Sequence, residues 1–459
     1  MLPVYQAFDR VQFAEVATDG AEDLEGKLAR ASEIFAARDG WLKPHQRVAV
    51  LQDLAKRLDV ERERFTRLIA REGGKPYTDA AIEVARAIDG VRDGADELRN
   101  FGGREIPMGL TTATEDRWAF TIREPIGVVA AISAFNHPLN LIVHQVAPAI
   151  ATGCPVIVKP ANTTPLCCLE FVKLVHAAGL PEALCQSFVP PDNVLAERLA
   201  LDQRVAFLSF IGSARVGWAL RSKLPPGTRC ALEHGGSAPV IVDRDVDIEA
   251  VVSPIVKGGY YHAGQVCVSV QRIFVHADVY DAFVDELSTR VTKLRVGDPL
   301  LPETDVGPLM LPKEVERVAS WVDEATRAGA RVAVGGRALS QTTYQPTVLL
   351  EPPPTARVTC EEVFGPVTCV YRFAELDDAL ERANGLPLAF QASVFTNRLD
   401  VALRAAERLD AATVLINDHT AFRSDWMPFA GRKQSGYGIG GIPWTMHEMT
   451  HHKMLVFRR

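Results

Sequence analysis

One cysteine, Cys267, lies in a segment that suits a nucleophile. Residues 264–272 read GQVCVSVQR, so small, β-branched and amide side chains surround this thiol. A cysteine thiolate attacks carbonyl carbons readily, whereas most free cysteines only fill space in a core. The chain has eight cysteines, none of them in a paired spacing suited to zinc, and no metal site is predicted. Cys267 therefore needs partners before it can be given a role.

Two other side chains could complete such a site. Glu233 ends the segment RCALE just before Gly235 and Gly236. A carboxylate buried beside a thiol has a raised pKa and could act as a general base for the thiol or for a water molecule. Asn136 lies in ISAFNHP, where its amide could donate to an oxyanion and lower a barrier by about 3 to 4 kcal/mol. Taken singly, Glu233 could equally cap a loop and Asn136 could begin a helix.

Two further segments have features of a nucleotide site. Lys159, in IVKPAN, follows a predicted strand, where an ammonium can reach a ribose hydroxyl or a phosphate. FIGSARVG, residues 210–217, ends a strand at Gly212 and begins a helix after Ser213, and free N–H groups at a helix start suit a pyrophosphate. It is not a GxGxxG motif, and alone it is weak evidence.

These segments must be positioned by regular elements, and the first hundred residues are predicted to be mostly helical. An amphipathic stripe runs from Leu24 to Phe35. A second helix begins at Pro44 and is predicted to continue to Gly73, and a third extends toward Arg99.

Strands and helices then alternate, which predicts an α/β fold with a Rossmann-like, doubly wound parallel sheet. Such a sheet binds ligands at the carboxyl ends of its strands. The predicted strands are VVAAIS (128–133), PVIV (155–158), SFV (187–189), VAFLSFIG (205–212) and RCALE (229–233).

A second α/β domain is predicted after Gly235 and Gly236, with strands at 271–276, 331–336 and 413–419. Residues 111–125 and the terminal HHKMLVFRR alternate in polarity and fit neither domain. They are predicted to form a small β oligomerisation arm, because exposed strand edges are usually covered by another subunit. We expect a homodimer or homotetramer.

The composition and the net charge exclude several classes of protein. The chain has 459 residues, 47% of them hydrophobic and 23% charged, and a formal net charge of −7. No basic run suits nucleic acid or an anionic membrane, and no apolar run is long enough to span a bilayer. We expect a cytoplasmic enzyme that binds neither.

Seven collinear motifs together resemble the NAD(P)-dependent aldehyde dehydrogenase superfamily, specifically its lactaldehyde and semialdehyde dehydrogenase branch. The resemblance extends over almost the whole chain. The motifs are REPIGVVAAISAFNHP, VIVKP, FIGS, LEHGG, GQVC, EEVFGPV and PFAGRKQSG.

The resemblance implies oxidation of an aldehyde to an acid through a thiohemiacetal and a thioester on Cys267, with NAD or NADP as cofactor. Glu233 would activate water, and Asn136 with the Cys267 backbone N–H would bind the oxyanion. It implies a dinucleotide-binding domain (1–110 and 127–234), a catalytic domain (235–440) and an oligomerisation arm (111–126 and 445–459). The implied cofactor contacts are Ser133, Phe135, Lys159, Asn162, Gly212, Ser213, Gly217, Glu362 and Phe364.

The sequence departs from the family pattern at two places. Asn162 stands where relatives that prefer NAD carry a glutamate, so repulsion of a 2′-phosphate is removed and NADP should be used. His234 stands where leucine is usual; it could tune the base or be a hydrogen-bonded core histidine.

For the substrate, a small polar aldehyde is expected, because several polar residues fall at positions that line the aldehyde entrance in relatives. Arg423 could bind a carboxylate, hydroxyl or phosphate group, or it could pair with Asp425 or face solvent. The full predicted substrate set is His137, His144, Val266, Val268, Arg423 and Phe429.

Three alternatives remain open at this point. A CoA-acylating semialdehyde dehydrogenase shares this scaffold but usually lacks the glutamate found here at Glu233. A catalytically silent binding or structural protein would be expected to lose the nucleophile or its base. A thiol hydrolase would need a histidine partner for Cys267, and none lies at a motif position.

Overall fold

A computed structural model describes residues 1–459. The first hundred residues form a short antiparallel hairpin and four helices. These elements are β1 (Leu2–Tyr5), β2 (Gln12–Val16), α1 (Ala21–Ala36), α2 (Pro44–Val60), α3 (Arg62–Gly73) and α4 (Tyr77–Glu97). The prediction of a single helix from Pro44 to Gly73 is wrong. The segment forms two helices that are divided at Glu61, whose ψ of 10° lies outside the helical range.

The middle of the chain builds a six-stranded sheet in the spatial order β19-β9-β8-β5-β6-β7, parallel except for β19. Its elements, with the preceding arm strands, are β3 (Glu105–Ile106), β4 (Arg117–Pro125), β5 (Val128–Ile132), α5 (Asn140–Thr152), β6 (Val156–Lys159), α6 (Pro165–Ala177), β7 (Cys185–Ser187), α7 (Asn193–Ala200), β8 (Val205–Ile211), α8 (Ala214–Arg221), β9 (Arg229–Glu233) and, later in the chain, β19 (Gly436–Tyr437).

Alternate residues of β5 explain why this sheet has helices on both faces. Val129 and Ala131 pack in the cluster that contains residues of α2 to α6, whereas Val128, Ala130 and Ile132 pack with residues of α1, α7 and α8. A strand buried on both faces reads as a continuous apolar run, as VVAAI does. The α/β, doubly wound prediction is confirmed.

The remainder builds a seven-stranded sheet in the order β12-β13-β14-β11-β10-β16-β17, parallel except for β12. Its elements are β10 (Ala238–Val242), α9 (Ile248–Tyr260), β11 (Val270–His276), α10 (Tyr280–Thr292), α11 (Pro312–Arg327), β12 (Arg331–Val334), β13 (Thr347–Leu350), α12 (Arg357–Cys360), β14 (Val367–Phe373), α13 (Leu376–Asn384), β15 (Leu388–Ala389), β16 (Gln391–Phe395), α14 (Leu399–Arg408) and β17 (Thr413–Ile416).

The chain ends with β18 (Arg432–Lys433), β19, α15 (Ile442–Glu448) and β20 (Thr450–Arg458). The two predicted arms pair with each other: β20 lies antiparallel to β4, which also pairs with β3. Trp118 and Phe457 remain about half exposed on this three-stranded sheet. Subunit association through it stays a prediction, as do the domain boundaries. None of the helices combines the length and apolar composition needed to span a bilayer.

Candidate active site

Two sheet edges meet around one groove of about 1180 Å³. The six-stranded sheet presents the carboxyl ends of β5, β6, β8 and β9, and the seven-stranded sheet presents segments that precede β11 and β14. Fifteen of the predicted site residues line this groove: Ser133, Phe135, Asn136, His137, Lys159, Gly212, Ser213, Glu233, Val266, Cys267, Val268, Glu362, Phe364, Arg423 and Phe429.

Cys267 lies in the loop between α9 and β11 and is partly exposed, as is Cys360, whereas the other six cysteines are buried. Gly264 precedes Cys267 in the same loop and has a φ of 69°. It lies against the backbone carbonyl of Gly365, so a Cβ at position 264 would collide with that carbonyl. Burial raises the pKa of the Cys267 thiol to about 12, with the Glu362 charge adding to the effect and Arg423 opposing it. The resting site therefore holds a thiol, and a base must take its proton when sulfur attacks.

Glu233 ends β9, lines the groove with Cys267 and is a candidate for that base. Burial raises the pKa of its carboxyl group, and the positive charge of Arg423 partly offsets this. The charge of Glu233 also acts on Cys267, which places the two groups in one part of the groove. A carboxylate with a raised pKa takes a proton from a thiol or a water molecule more readily than an ordinary one.

Asn136 follows β5 and is buried against the loop that carries the cysteine. Its Nδ2 donates to the Gln265 carbonyl at 3.0 Å, which uses one of the two amide N–H groups and leaves the other to donate elsewhere. Gln265 is itself fixed, since its Nε2 donates to the Pro308 carbonyl at 3.1 Å and its Oε1 accepts from Met310 at 2.9 Å. The amide and the thiol are thus held by a shared segment.

Sequence reasoning missed the residue that anchors the Asn136 loop. The carboxylate of Glu83, on α4, accepts from the backbone N–H groups of Leu139 at 3.0 Å and Asn140 at 3.1 Å, and it forms a fully buried ion pair with Lys75. A carboxylate at a helix start is favoured by the helix dipole. An acidic residue within a helical pattern gave no signal of this contact, because its partner segment lies in a different part of the sequence.

Two titratable side chains that line the groove, Lys159 and Glu362, form no ion pair with the protein. The Lys159 ammonium, at the end of β6, is nearly buried and makes no ion pair, and burial lowers its pKa to about 8. Burial raises the pKa of Glu362 to about 8, and its buried Oε1 has no hydrogen-bond partner. Gly235 permits this position, since a Cβ there would overlap the Glu362 carboxylate. Unpartnered buried polar atoms require a ligand, and these fit ribose hydroxyls or phosphates.

The aromatic pair Phe135 and Phe364 also lines the groove. The two rings meet edge to face at 5.9 Å, and Phe364 adopts a φ of 45° that is rare outside glycine. The Ser213 side chain does not cap α8, although its carbonyl accepts from Val216 and Gly217, so the N–H groups of Ala214 and Arg215 have no protein partner and could bind a pyrophosphate.

Three of the predicted site residues do not line the groove. Asn162 stands between two lining residues, Ala161 and Thr163, with its Nδ2 3.4 Å from the Pro190 carbonyl and its Oδ1 unpartnered. Gly217 packs directly against the ring of His234, and His144 lies behind Arg423.

His234 is buried and lines the groove next to Glu233, and it is not the hydrogen-bonded core histidine that was one of the two expectations. Its ring stacks on Trp218 at 5.6 Å, and neither ring nitrogen has a partner. Burial lowers its pKa to about 4, so the imidazole is neutral.

The aldehyde end of the groove is lined by an apolar cluster and by cationic and polar side chains. Val266, Val268, Phe390 and Phe429 form the cluster, with Cys267 packed against it. His137 reaches toward the Tyr261 hydroxyl, 3.5 Å from its Nε2. Tyr261 and Arg86, which sequence reasoning missed, also line this end. Tyr261 lies only six positions before Cys267 in the sequence, and this proximity could have indicated that it lines the same groove.

Comparison with known proteins agrees with this geometry. Residues 1–455 match the model of the aldehyde dehydrogenase family. The chain is 36% identical to the 3-sulfolactaldehyde dehydrogenase of Priestia megaterium over 456 residues, covering 99% of this chain and 94% of that one.

Two solved structures superpose over the whole chain, each at 31% identity. Aldehyde dehydrogenase 21 from Physcomitrella patens, in complex with the reaction product succinate, gives a TM-score of 0.96 with 95% of its chain covered. Glyceraldehyde-3-phosphate dehydrogenase from Methanocaldococcus jannaschii, complexed with NADP, gives 0.95 with 99% covered. The resemblance inferred from the seven motifs is confirmed.

Proposed function

The chain belongs to the aldehyde dehydrogenase family and is an aldehyde dehydrogenase, and from this premise we propose that it oxidises a small polar aldehyde to its carboxylic acid with NAD or NADP. The observation that carries the proposal is the groove that brings Cys267, Glu233 and Asn136 together with Lys159 and with Glu362, whose buried Oε1 has no hydrogen-bond partner.

The first half of the reaction takes place at Cys267. Its sulfur attacks the carbonyl carbon while Glu233 accepts the thiol proton, and a thiohemiacetal oxyanion forms. The free N–H of the Asn136 amide and the backbone N–H of Cys267 donate to that oxygen. Such donors stabilise the developing charge because they are oriented before the reaction begins. A nicotinamide cofactor held by Lys159, Glu362 and Phe364 would supply the acceptor for the hydride that leaves the carbon. A thioester then remains on Cys267.

The second half releases the acid. Glu233 first releases the thiol proton to solvent. Water then attacks the thioester carbon, Glu233 takes a proton from that water and passes it to the departing sulfur, and the carbon–sulfur bond breaks to give the carboxylic acid and the free cysteine. A thioester is more reactive toward water than an oxygen ester, which suits sulfur to this role. The presence of Glu233 favours hydrolysis over transfer of the acyl group to CoA.

Two features support the choice of cofactor and substrate. Asn162 is neutral where a glutamate would repel a 2′-phosphate, so we propose that NADP is accepted; the methanogen relative is complexed with NADP. The relatives named above act on 3-sulfolactaldehyde and glyceraldehyde 3-phosphate or release succinate, all small and polar.

The test is cofactor reduction by the purified protein, with short hydroxylated and carboxylated aldehydes against NAD and NADP. Cys267→Ser should lower the rate by about 10³-fold or more, because an alcohol is a far weaker nucleophile than a thiolate. Cys360→Ser, at the other partly exposed cysteine, is the matched control and should keep the wild-type rate. Equal rates for the Cys267 variant and the wild type would refute the mechanism.

A further inference from the structure

The corner between α3 and α4, residues 73–83, contacts both halves of the candidate active site without belonging to it. Helix α3 ends at Gly73, and Gly74 follows with a left-handed φ of 72°. The corner then includes the first two turns of α4, as far as Glu83. None of its residues lines the groove. It can therefore affect the reaction only through the residues that it holds.

At one end of the α3–α4 corner, Glu83 holds the loop that carries Asn136. Its Oε1 accepts from the backbone N–H groups of both Leu139 and Asn140, at 3.0 and 3.1 Å, where α5 begins. Its Oε2 accepts from the Lys75 ammonium, and both side chains of this ion pair are only 1% exposed. The two oxygens thus have separate tasks, and the cation fixes the direction in which the other oxygen points.

At the other end, the α3–α4 corner packs on residues 299–308. A Cβ at Gly74 would lie 2.8 Å from Pro308 Cγ, and a Cβ at Gly307 would lie 2.1 Å from the Gly74 carbonyl oxygen. Neither position therefore has room for a side chain. The backbone N–H of Tyr77 also donates to the Pro299 carbonyl at 2.8 Å.

The contacts close into a ring at Gln265, two positions before Cys267. The Gln265 side chain donates to the Pro308 carbonyl at 3.1 Å, and its backbone carbonyl accepts from Asn136 Nδ2 at 3.0 Å. The corner therefore reaches the Asn136 amide by two routes, one through Glu83 and one through Pro308 and Gln265. Because protein interiors are close-packed, a displacement of the corner moves the amide relative to the thiol.

A third contact ties the α3–α4 corner to α9, the helix that precedes the cysteine loop. Asp79 is buried and forms an ion pair with Lys257 on α9. Helix α9 packs in the core of the seven-stranded sheet, whereas α5 packs in the core of the six-stranded sheet. The corner is thus bonded to helices of both sheets.

We propose that the α3–α4 corner sets the position of the Asn136 amide relative to the Cys267 thiol, and that Lys75 and Glu83 are positioning residues for the reaction. This inference rests on the proposed function, and it goes beyond it by assigning an effect on kcat to two residues outside the groove. A misplacement of about 1 Å at a reacting centre can cost about 10²-fold in rate, even when its origin is remote.

The test variant is Lys75→Met/Glu83→Leu, which removes both charges at once. Replacing a whole buried ion pair with apolar side chains usually preserves the fold, whereas removing one partner leaves an unpaired buried charge. With lactaldehyde and saturating NAD or NADP, kcat should fall about 10- to 100-fold while KM changes little, because the amide acts mainly in the transition state. A wild-type kcat in the folded variant would overturn the inference.

Two milder variants separate the hydrogen bonds of Glu83 from its bulk and its charge. Lys75→Met/Glu83→Gln keeps an oxygen that can accept from α5, so most of the lost kcat should return. Glu83→Asp keeps the charge but is one methylene shorter, and its kcat should fall by about 10-fold. This variant decides the question if Lys75→Met/Glu83→Leu does not fold, and a wild-type kcat in it would then count against the proposal.

Glu72 provides a matched control, because it caps another helix in the same way. It is fully buried, and its two oxygens accept from the backbone N–H groups of Leu166 and Cys167, each at 2.9 Å, where α6 begins. No residue of α6 lines the groove. Glu72→Leu should lower the melting temperature but keep the wild-type kcat at saturating cofactor. An equal loss of kcat in both variants would identify general destabilisation as the cause.

A further combination shows whether the α3–α4 corner acts through the oxyanion donor. Adding Asn136→Ala to Lys75→Met/Glu83→Leu should lower kcat no further than Asn136→Ala does alone, because both changes remove the same interaction. Multiplied losses would mean that the corner affects the reaction by another route, and the inference would be wrong.

Hydrogen exchange gives a readout that does not depend on turnover. In Lys75→Met/Glu83→Leu the backbone N–H groups of Leu139 and Asn140 should exchange faster than in the wild type or in Glu72→Leu, and so should residues 262–268 across the groove. Exchange that rises only at α5, or nowhere, would overturn the inference. If the exchange behaved as expected but the wild-type protein reduced no cofactor with any aldehyde, the proposed function would fail while the link between the two sheets remained.

Discussion

The two sheets contribute to the groove through opposite edges. The six-stranded sheet supplies Asn136, Lys159 and Glu233 from the carboxyl ends of its strands, where α/β sheets usually bind ligands. The seven-stranded sheet supplies Cys267 and Glu362 from segments that precede β11 and β14, at their amino ends. The chain passes from one edge to the other at Gly235 and Gly236. Neither sheet carries a complete site. The reaction therefore requires both sheet edges to lie together around the groove.

The most sensitive test of this division between the two sheet edges separates the two halves of the reaction, which are formation and hydrolysis of the thioester. Glu233→Gln removes the base at the carboxyl edge and leaves the nucleophile at the amino edge. Hydrolysis should slow by about 10²- to 10⁴-fold, because general base catalysis contributes that much. Because Glu233 also takes the thiol proton, formation of the thioester should slow too, but less than hydrolysis, since the Cys267 thiol can also lose its proton to solvent.

Rapid-mixing measurements and intact-mass spectrometry check this prediction. A burst of reduced cofactor followed by a slow phase, with an acyl group on Cys267, is the expected result. A Glu233→Gln variant that turns over steadily at the wild-type rate would show that the two sheet edges do not have these separate roles in the reaction.

Removing the oxyanion donor at the carboxyl edge should have the next largest effect. Asn136→Ala should lower kcat by about 10²- to 10³-fold, the usual consequence of losing one such donor. Because Asn136 also holds the Gln265 carbonyl, thermal unfolding must be measured alongside. A kcat close to wild type in a folded variant would assign the oxyanion to other donors.

The cofactor preference tests the carboxyl edge alone. Asn162→Glu should lower kcat/KM with NADP about 10- to 100-fold relative to NAD, because two like charges a few ångströms apart repel by about 1 to 4 kcal/mol. Asn162→Gln stays neutral and serves as the control. An unaltered ratio of the two cofactors would place the 2′-phosphate elsewhere.

The smallest expected effect concerns Glu362 at the amino edge of the cofactor-free protein. Its pKa rises on folding from 4.5 to about 8, so the folded state binds the proton more tightly. The contribution of the protonated Glu362 carboxyl group to the free energy of unfolding is complete below about pH 4.5. It is lost as the pH rises through 8.

Glu362→Gln cannot titrate, so its melting temperature should fall less than that of the wild type between pH 5 and 8. The expected difference is about 1 to 4 °C. Parallel curves for the two proteins would mean that Glu362 is already ionised, with a partner, in the folded state.

The first sheet could be predicted closely because its strands are short apolar runs bounded by turns. VVAAI and RCALE were placed to within a residue, whereas SFV was predicted two residues late, since the strand is Cys185–Ser187. The break at Glu61 was missed because the apolar stripe of α2 continues into α3 without proline or glycine. Strands β10, β13, β14 and β16 of the second sheet were not predicted at all.

The sequence by itself determined the chemical groups and their order: a nucleophilic thiol, a carboxylate at a strand end, an amide after another strand, and the family that shares these motifs. Only the tertiary structure decided which groups meet. Glu83 reaches the loop of Asn136, and Asp425 pairs with Arg86 and leaves Arg423 free. These choices depend on contacts between residues 57 and 339 positions apart, and local periodicity carries no information about which of several possible partners a buried charge will find.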